Sequence, residues 1–147
     1  MIHCGIYDLN GVFKTWMTAI YAFNQLDDRR RLWTDLERVH SSQHGAWVLM
    51  GDFNNVIKAM DRIGGNLVTE AEIVDLRDVM EKVGLFEKDS LGDYYTWTNK
   101  HSVGTIYSRI DHVLGNMEWL MDNIDVNLTI FPCSVSDYNL LCLNGRM

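Results

Sequence analysis

Residues 46–50, Ala46-Trp47-Val48-Leu49-Met50, make a short unbroken apolar run that stops at Gly51-Asp52-Phe53-Asn54. A continuous run of this length, closed by turn formers, suits a strand buried on both faces. Such a strand needs a packed layer on each side, which points to a layered α/β architecture. The turn also delivers a carboxylate and a carboxamide to a strand end, where the backbone stops pairing and folds of this kind place chemistry. An Asp can take a proton from water or hold a cation, and an Asn can donate to a phosphate oxygen without adding negative charge. The same four residues also read as an ordinary strand-to-turn junction.

The flanking sequence supplies the layers. Strands are expected over 2–7 and 13–23, joined through Asp8-Leu9-Asn10-Gly11, whose Asn-Gly is a hairpin signal. Asp27 or Asp28 can cap a helix running to about Ser41, with Leu32, Trp33, Leu36 and Val39 on one stripe. A polar loop over 55–68 leads to Thr69 and Glu72, a capping box for a second helix. Its buried stripe would be Ile73, Leu76, Met80 and Val83, and Gly84 would end it. The pattern then turns to strands at 94–99, 105–114, 125–131 and 140–143, with one or two helical turns over 117–123. No repeat or linker divides the chain, so residues 1–147 are expected to form a single domain.

Charge narrows the choice of partners. A formal charge of −7 argues against gripping nucleic acid by bulk electrostatics. The basic cluster Arg29-Arg30-Arg31 reads as a solvated first turn of a helix. No apolar run approaches a membrane span, and no signal or transit peptide is visible at the N terminus. Three cysteines (Cys4, Cys133, Cys142) without metal-ligand spacing suit reduced thiols in a cytoplasmic or nuclear setting.

Several separated motifs stand in one order: Tyr21-Ala22-Phe23-Asn24, Arg30 with Leu32-Trp33, Gly51-Asp52-Phe53-Asn54, Arg62 with Gly64-Gly65, and Gly84-Leu85. Tyr95-Thr96-Trp97-Thr98-Asn99, Ser108-Arg109-Ile110-Asp111 and Ser136-Asp137-Tyr138 complete it. The series resembles the endonuclease/exonuclease/phosphatase superfamily, and most of all the apurinic-type endonuclease domain of plant LINE-type (non-LTR) retrotransposons. The resemblance implies a four-layer α/β sandwich, two mostly antiparallel sheets face to face with helices outside. It also implies hydrolysis of phosphodiester or phosphate monoester bonds with a divalent cation, usually Mg2+, and a water nucleophile. By resemblance Asp52 would position or activate the water, while Asn54, Tyr21 and Asn24 would contact the phosphate. Asp111 would orient a catalytic histidine, and Asp137 would be a metal-site carboxylate. Read without the resemblance, Tyr21 is equally a packed aromatic. Asp111 could pair with Arg109 or His112, and Thr96-Trp97 could be cross-strand packing rather than a base-stacking platform.

Two departures bear on activity. The resembled motif closes on Ser-Asp-His, whereas here Tyr138 stands in the histidine position. A phenol with an ordinary pKa of about 10 cannot serve as a base near neutral pH, though it can donate a hydrogen bond. Loss of such a group costs on the order of a hundredfold or more in rate. The early strands that would carry an asparagine and a metal-binding glutamate are also expected to be missing. The fold would then be partial, beginning at an internal methionine, with Val12, Trp16, Ile20 and Phe23 candidates for a bared sheet face. The expectation is a retrotransposon-derived, DNA-directed endonuclease-like domain, inactive as it stands. A non-catalytic remnant or interaction module is the alternative, and a phosphatase of the same fold a third reading.

Overall fold

In the computed structural model, which describes residues 1–145, the apolar run becomes the middle of a five-stranded sheet. In chain order the elements are β1 (Ile2–Tyr7), β2 (Phe13–Tyr21), α1 (Leu26–Ser42), β3 (Trp47–Asp52), β4 (Arg62–Ile63), α2 (Glu70–Val83), β5 (Leu85–Glu87) and β6 (Ser90–Gly92). They continue as β7 (Trp97–Thr98), β8 (Tyr107–Ser108), β9 (Asp111–Asn116), α3 (Met117–Asp122), β10 (Asn127–Phe131) and β11 (Leu140–Asn144). The large sheet has the order β1-β2-β3-β9-β5, antiparallel except for β2 and β3, which run parallel with α1 as their crossover. Two smaller sheets, β11-β10-β6 and β4-β8-β7, complete the strands.

The central strand is buried on both faces because each face has its own core. Trp47 and Leu49 of β3 join Ile20, Leu32, Trp33, Leu36, Leu76, Val79, Val83 and Leu114 beneath α1 and α2. Val48 turns the other way and meets Val113, Trp119 and Leu128, with Met50, Leu141 and Leu143 packed against them. That second core seats α3 and the β11-β10-β6 sheet on the opposite face. The architecture is therefore α/β in layers, as the sequence leads one to expect. Truncating a side chain such as Leu36, with no exposed surface, is expected to cost about 2–5 kcal/mol.

Helix α2 begins as read: Thr69 and Glu72 exchange the reciprocal capping bonds, and Gly84 closes the helix with φ of 71°. Val79, rather than the expected Met80, shares the fully buried stripe with Ile73, Leu76 and Val83; Met80 is only partly buried. Helix α1 begins earlier than expected. Gln25 is its N-cap without a side-chain bond, and Asp27 and Asp28 lie in the first turn, favourable positions in the helix field but not caps. The expected strands over 94–99 and 105–114 are broken up. Backbone bonds from Arg109 N to Asp61 O and from Phe53 N to Ile110 O divert the chain, leaving short β7 and β8 and a separate β9.

The expected bared face is only half observed. Val12 and Phe23 are exposed, but Ile20 is buried beneath the helices and Trp16 packs against that same core. In β2 the residues Trp16, Thr18 and Ile20 all face the helices, so periodicity two decides their fate. Arg29 also departs from expectation. It is buried, and its Nη1 donates to Phe23 O (3.1 Å) and Asn24 O (2.7 Å). A guanidinium at the first turn of α1 is the nearest group able to satisfy the carbonyls left where the chain leaves β2.

Candidate active site

Asp52 is the last residue of β3 and Asp111 the first of β9, and the two stand directly opposite in an antiparallel pair. Opposed residues share a face, with Cβ atoms about 4.5–5.5 Å apart, so the two carboxyls lie side by side. Gly51 lets β2 lie close against the other edge of β3. Its φ is 138°, and a Cβ there would fall 2.2 Å from Ile20 O. Past the strand end, Asp52 Oδ1 accepts from Asn54 N at 2.7 Å. Asn54 sits in the left-handed region, φ 49°, a conformation that Asn tolerates better than most residues. Its Nδ2 donates to Asn24 Oδ1, and the Arg29 bonds hold that loop in place.

Electrostatics set this cluster apart. Burial raises the Asp52 carboxyl, opposed by the bond from Asn54 N and by the Tyr138 hydroxyl reaching toward it. Asp111 is pushed up to about 7, first by burial and further by the Asp52 charge, with the Thr96 hydroxyl and His112 pulling the other way. Its Oδ2 is buried and has no hydrogen-bond partner among the described residues. Tyr138 is raised to about 12 by burial and by the charges of Asp52 and Asp111. At neutral pH it stays a protonated phenol.

Asp52, Asn54, Asn24 and Asp111 thus gather at one end of the sheets with Tyr138 against them, although they lie up to 114 positions apart. Tyr21 is not packed away: it stands in register with Asp52, is 82% exposed, and adds to the upward shift of Tyr138. Asp111 pairs with neither neighbour. Arg109 and His112 both turn to Glu87, at 2.8 Å each. Thr96 is fully buried and its Oγ1 accepts from Ile110 N and Asp111 N, while Trp97 packs beside Val56, Ile73 and Ile110. Asp137 does not join the group through any contact. It is exposed, its Oδ1 lies 3.6 Å from Lys100 Nζ, and it lines a different cleft.

Beside the carboxyls opens a cleft of about 570 Å³, bordered by Asn24, Asn54, Asn66, Arg62, Trp97 and Tyr138. Its lining is rich in amides; Arg62 bonds Glu72 at 2.9 Å, while Arg29 gives Nη1 to two carbonyls and leaves its buried Nε without a partner among the described residues. Arg29 and Glu72 were not picked out as site residues from sequence. Arg29 was hidden in a run that looked like a solvated helix start, and Glu72 was assigned only to capping.

A layered α/β fold with an Asp–Asn turn and a second Asp at the open end of its sheets is the architecture of a known family. Residues 4–128 match the Endonuclease/Exonuclease/phosphatase family, and the chain belongs to it. No curated protein sequence matches the chain. Among solved structures, the endonuclease domain of TRAS1, a telomere-specific non-LTR retrotransposon, superposes with a TM-score of 0.68 at 15% identity. The overlap covers 99% of this chain but 63% of that domain, and at this identity the likeness speaks for the fold.

Members of this family generally depend on a divalent cation. Magnesium asks for octahedral oxygen donors, commonly one or two carboxylates completed by substrate phosphate and water. Here the third carboxyl, Asp137, is turned toward Lys100, and no three His, Cys, Asp or Glu side chains gather for a metal among the described residues. Burial pushes the Asp111 carboxyl up to about 7, and a cation would have to displace that proton to bind. Two carboxyls, Asp52 and Asp111, therefore stand together as the candidate oxygen donors, without a third acid gathered beside them among the described residues.

Proposed function

We propose that this chain is a LINE-type retrotransposon endonuclease-like domain that keeps the phosphate-facing end of its fold and does not cleave DNA by itself. Family membership and the TRAS1 likeness support the lineage. The reading that activity is lost rests on Tyr138, a phenol beside Asp52 where the resemblance implies an imidazole.

The remaining residues can do part of the work. Asp52, fixed by Asn54 N, is placed to take a proton from water, and raising its pKa makes it a better base than an exposed carboxylate. The Asn54 amide, held by Asn24, can donate to a phosphate oxygen, and exposed Tyr21 can do so from the next strand. The Tyr138 hydroxyl can steady Asp52 but cannot accept a proton. DNA is the ancestral partner, and binding should be weak because the chain carries a net charge of −7 and Arg62 in the cleft is paired with Glu72.

The test is nicking of supercoiled plasmid in Mg2+ by the purified chain. No nicking above background is expected, and Tyr138→His alone should restore little, because the glutamate that the resemblance implies as a metal ligand has no counterpart among the matched motifs. Nicking by the unmodified chain that disappears in Asp52→Ala would overturn the proposal. A non-catalytic interaction module is favoured as the second reading by the separate cleft at Asp137, whose lining is mostly aromatic.

A further inference from the structure

On the far side of Trp97 from the carboxyl pair lies a cleft of about 340 Å³ whose lining differs sharply from the first. Tyr95, Trp97 and Tyr107 supply aromatic surface, and Asp93 and Asp137 stand exposed around them. The rings form a connected tray. Tyr94 and Tyr95 meet edge to face with centroids 5.1 Å apart, and Tyr95 and Tyr107 are 6.0 Å apart. The floor is pinned from below, since Tyr94 donates to Asp61 and Tyr95 OH donates to Met60 O at 3.3 Å. Asn139 fixes the wall by donating to Asp93 Oδ2 (3.2 Å) and Tyr95 O (3.0 Å).

Two features of the molecule show which charge this tray takes. Arg109 lies over the Tyr94 ring, its guanidinium carbon 4.9 Å from the centroid, so the cluster already stacks a guanidinium on its inner side. At the mouth, Lys100 Nζ reaches Asp137 over 3.6 Å with both side chains largely exposed. A long exposed pair of that kind contributes little and exchanges readily for a better cation. We infer that the Tyr95–Trp97–Tyr107 cleft binds an arginine side chain of a basic peptide, the guanidinium stacking on the rings and bonding to Asp93 and Asp137. Arginine suits the site better than lysine because a planar fork can stack and engage carboxylates together. A nucleic-acid strand is disfavoured, because two exposed carboxylates would meet its phosphates. The inference does not depend on the endonuclease reading, since none of the tray residues carries that chemistry except the by-resemblance metal role of Asp137.

The test is titration of the ¹⁵N-labelled chain, at low salt, with an acetylated Gly/Ser peptide carrying two arginines. Matched peptides with citrulline or lysine in place of arginine are the controls. Saturating shifts centred on Tyr95, Tyr107 and the Trp97 indole are expected, with weaker binding of lysine and none of citrulline. Tyr107→Leu and Asp93→Asn, both at exposed positions, should each weaken binding about two- to fivefold, and Lys100→Gln should tighten it. Shifts spread over the acidic face of α2 at Asp75, Asp78 and Glu81, or affinity unchanged in Tyr107→Leu, would overturn the inference. Equal perturbation of the same resonances by oligothymidine would overturn it in favour of single-stranded nucleic acid.

Discussion

Two groups of acids meet near the start of β9, and they have opposite fates. Glu87, Arg109 and His112 form a closed network: Arg109 also bonds Ser90 Oγ and Tyr94 O, and the other nitrogen of His112 lies 2.7 Å from Asn55 O. Burial alone would raise Glu87, but His112 and then Arg109 overcome it and hold the carboxyl at about 2. One residue along the chain, Asp111 is equally buried, has no cation in contact, and sits near 7. A buried charge with partners is part of the scaffold. A buried carboxyl without them is pushed toward its neutral form.

The largest effect should come from breaking the closed network. Arg109→Met leaves Glu87 short of a partner and two further acceptors unbonded, and should cost about 3–5 kcal/mol in urea unfolding. Its acid dependence sharpens the comparison. Glu87 has a folded pKa of about 2 against an ordinary 4.5, so its contribution is complete above about pH 4.5 and is lost as pH falls toward 2. The Arg109→Met variant should show a shallower loss of stability across that window.

Relieving the open cluster should act the other way. Asp111→Asn removes a carboxyl whose folded pKa is raised, and such a group lowers stability as pH climbs from about 4 through 7. The variant should be about 1–3 kcal/mol more stable than the parent at pH 8, with the gain gone at pH 4. A loss of stability at pH 8 would show that Asp111 is paired in solution and would erase the contrast. The smallest effect is expected at the surface, where Arg30 pairs with Asp27 and Asp75 while mostly exposed. Arg30→Ala should shift the unfolding midpoint by no more than about 0.5 kcal/mol's worth.

How much of this was legible depends on how local each signal is. The capping box at Thr69 and Glu72, the stop at Gly84 and the turn at Gly51-Asp52-Phe53-Asn54 rest on contacts within a few residues, and each appears where the sequence places it. Strand extent was misread over 94–114 because the bonds that interrupt it come from Asp61 and Phe53, both distant in sequence. Arg29 looked like a solvated charge because nothing in the sequence reveals that the carbonyls of Phe23 and Asn24 need a donor at that point. Glu87 carried no pattern at all. Its role exists only because β5 pairs with β9 and brings it to Arg109 and His112.

The sequence by itself determined the layered α/β class, the hydrophobic faces and the residues at the strand end, because apolar periodicity and turn chemistry are short-range properties of the chain. Only the tertiary structure decided which of those residues share an environment. It set Asp52 against Asp111 across an antiparallel pair, turned Asp137 away to Lys100, and gave Glu87 the partners that Asp111 lacks. The reason is that burial and charge pairing depend on distance in space, and strand register alone fixes which carboxyls meet.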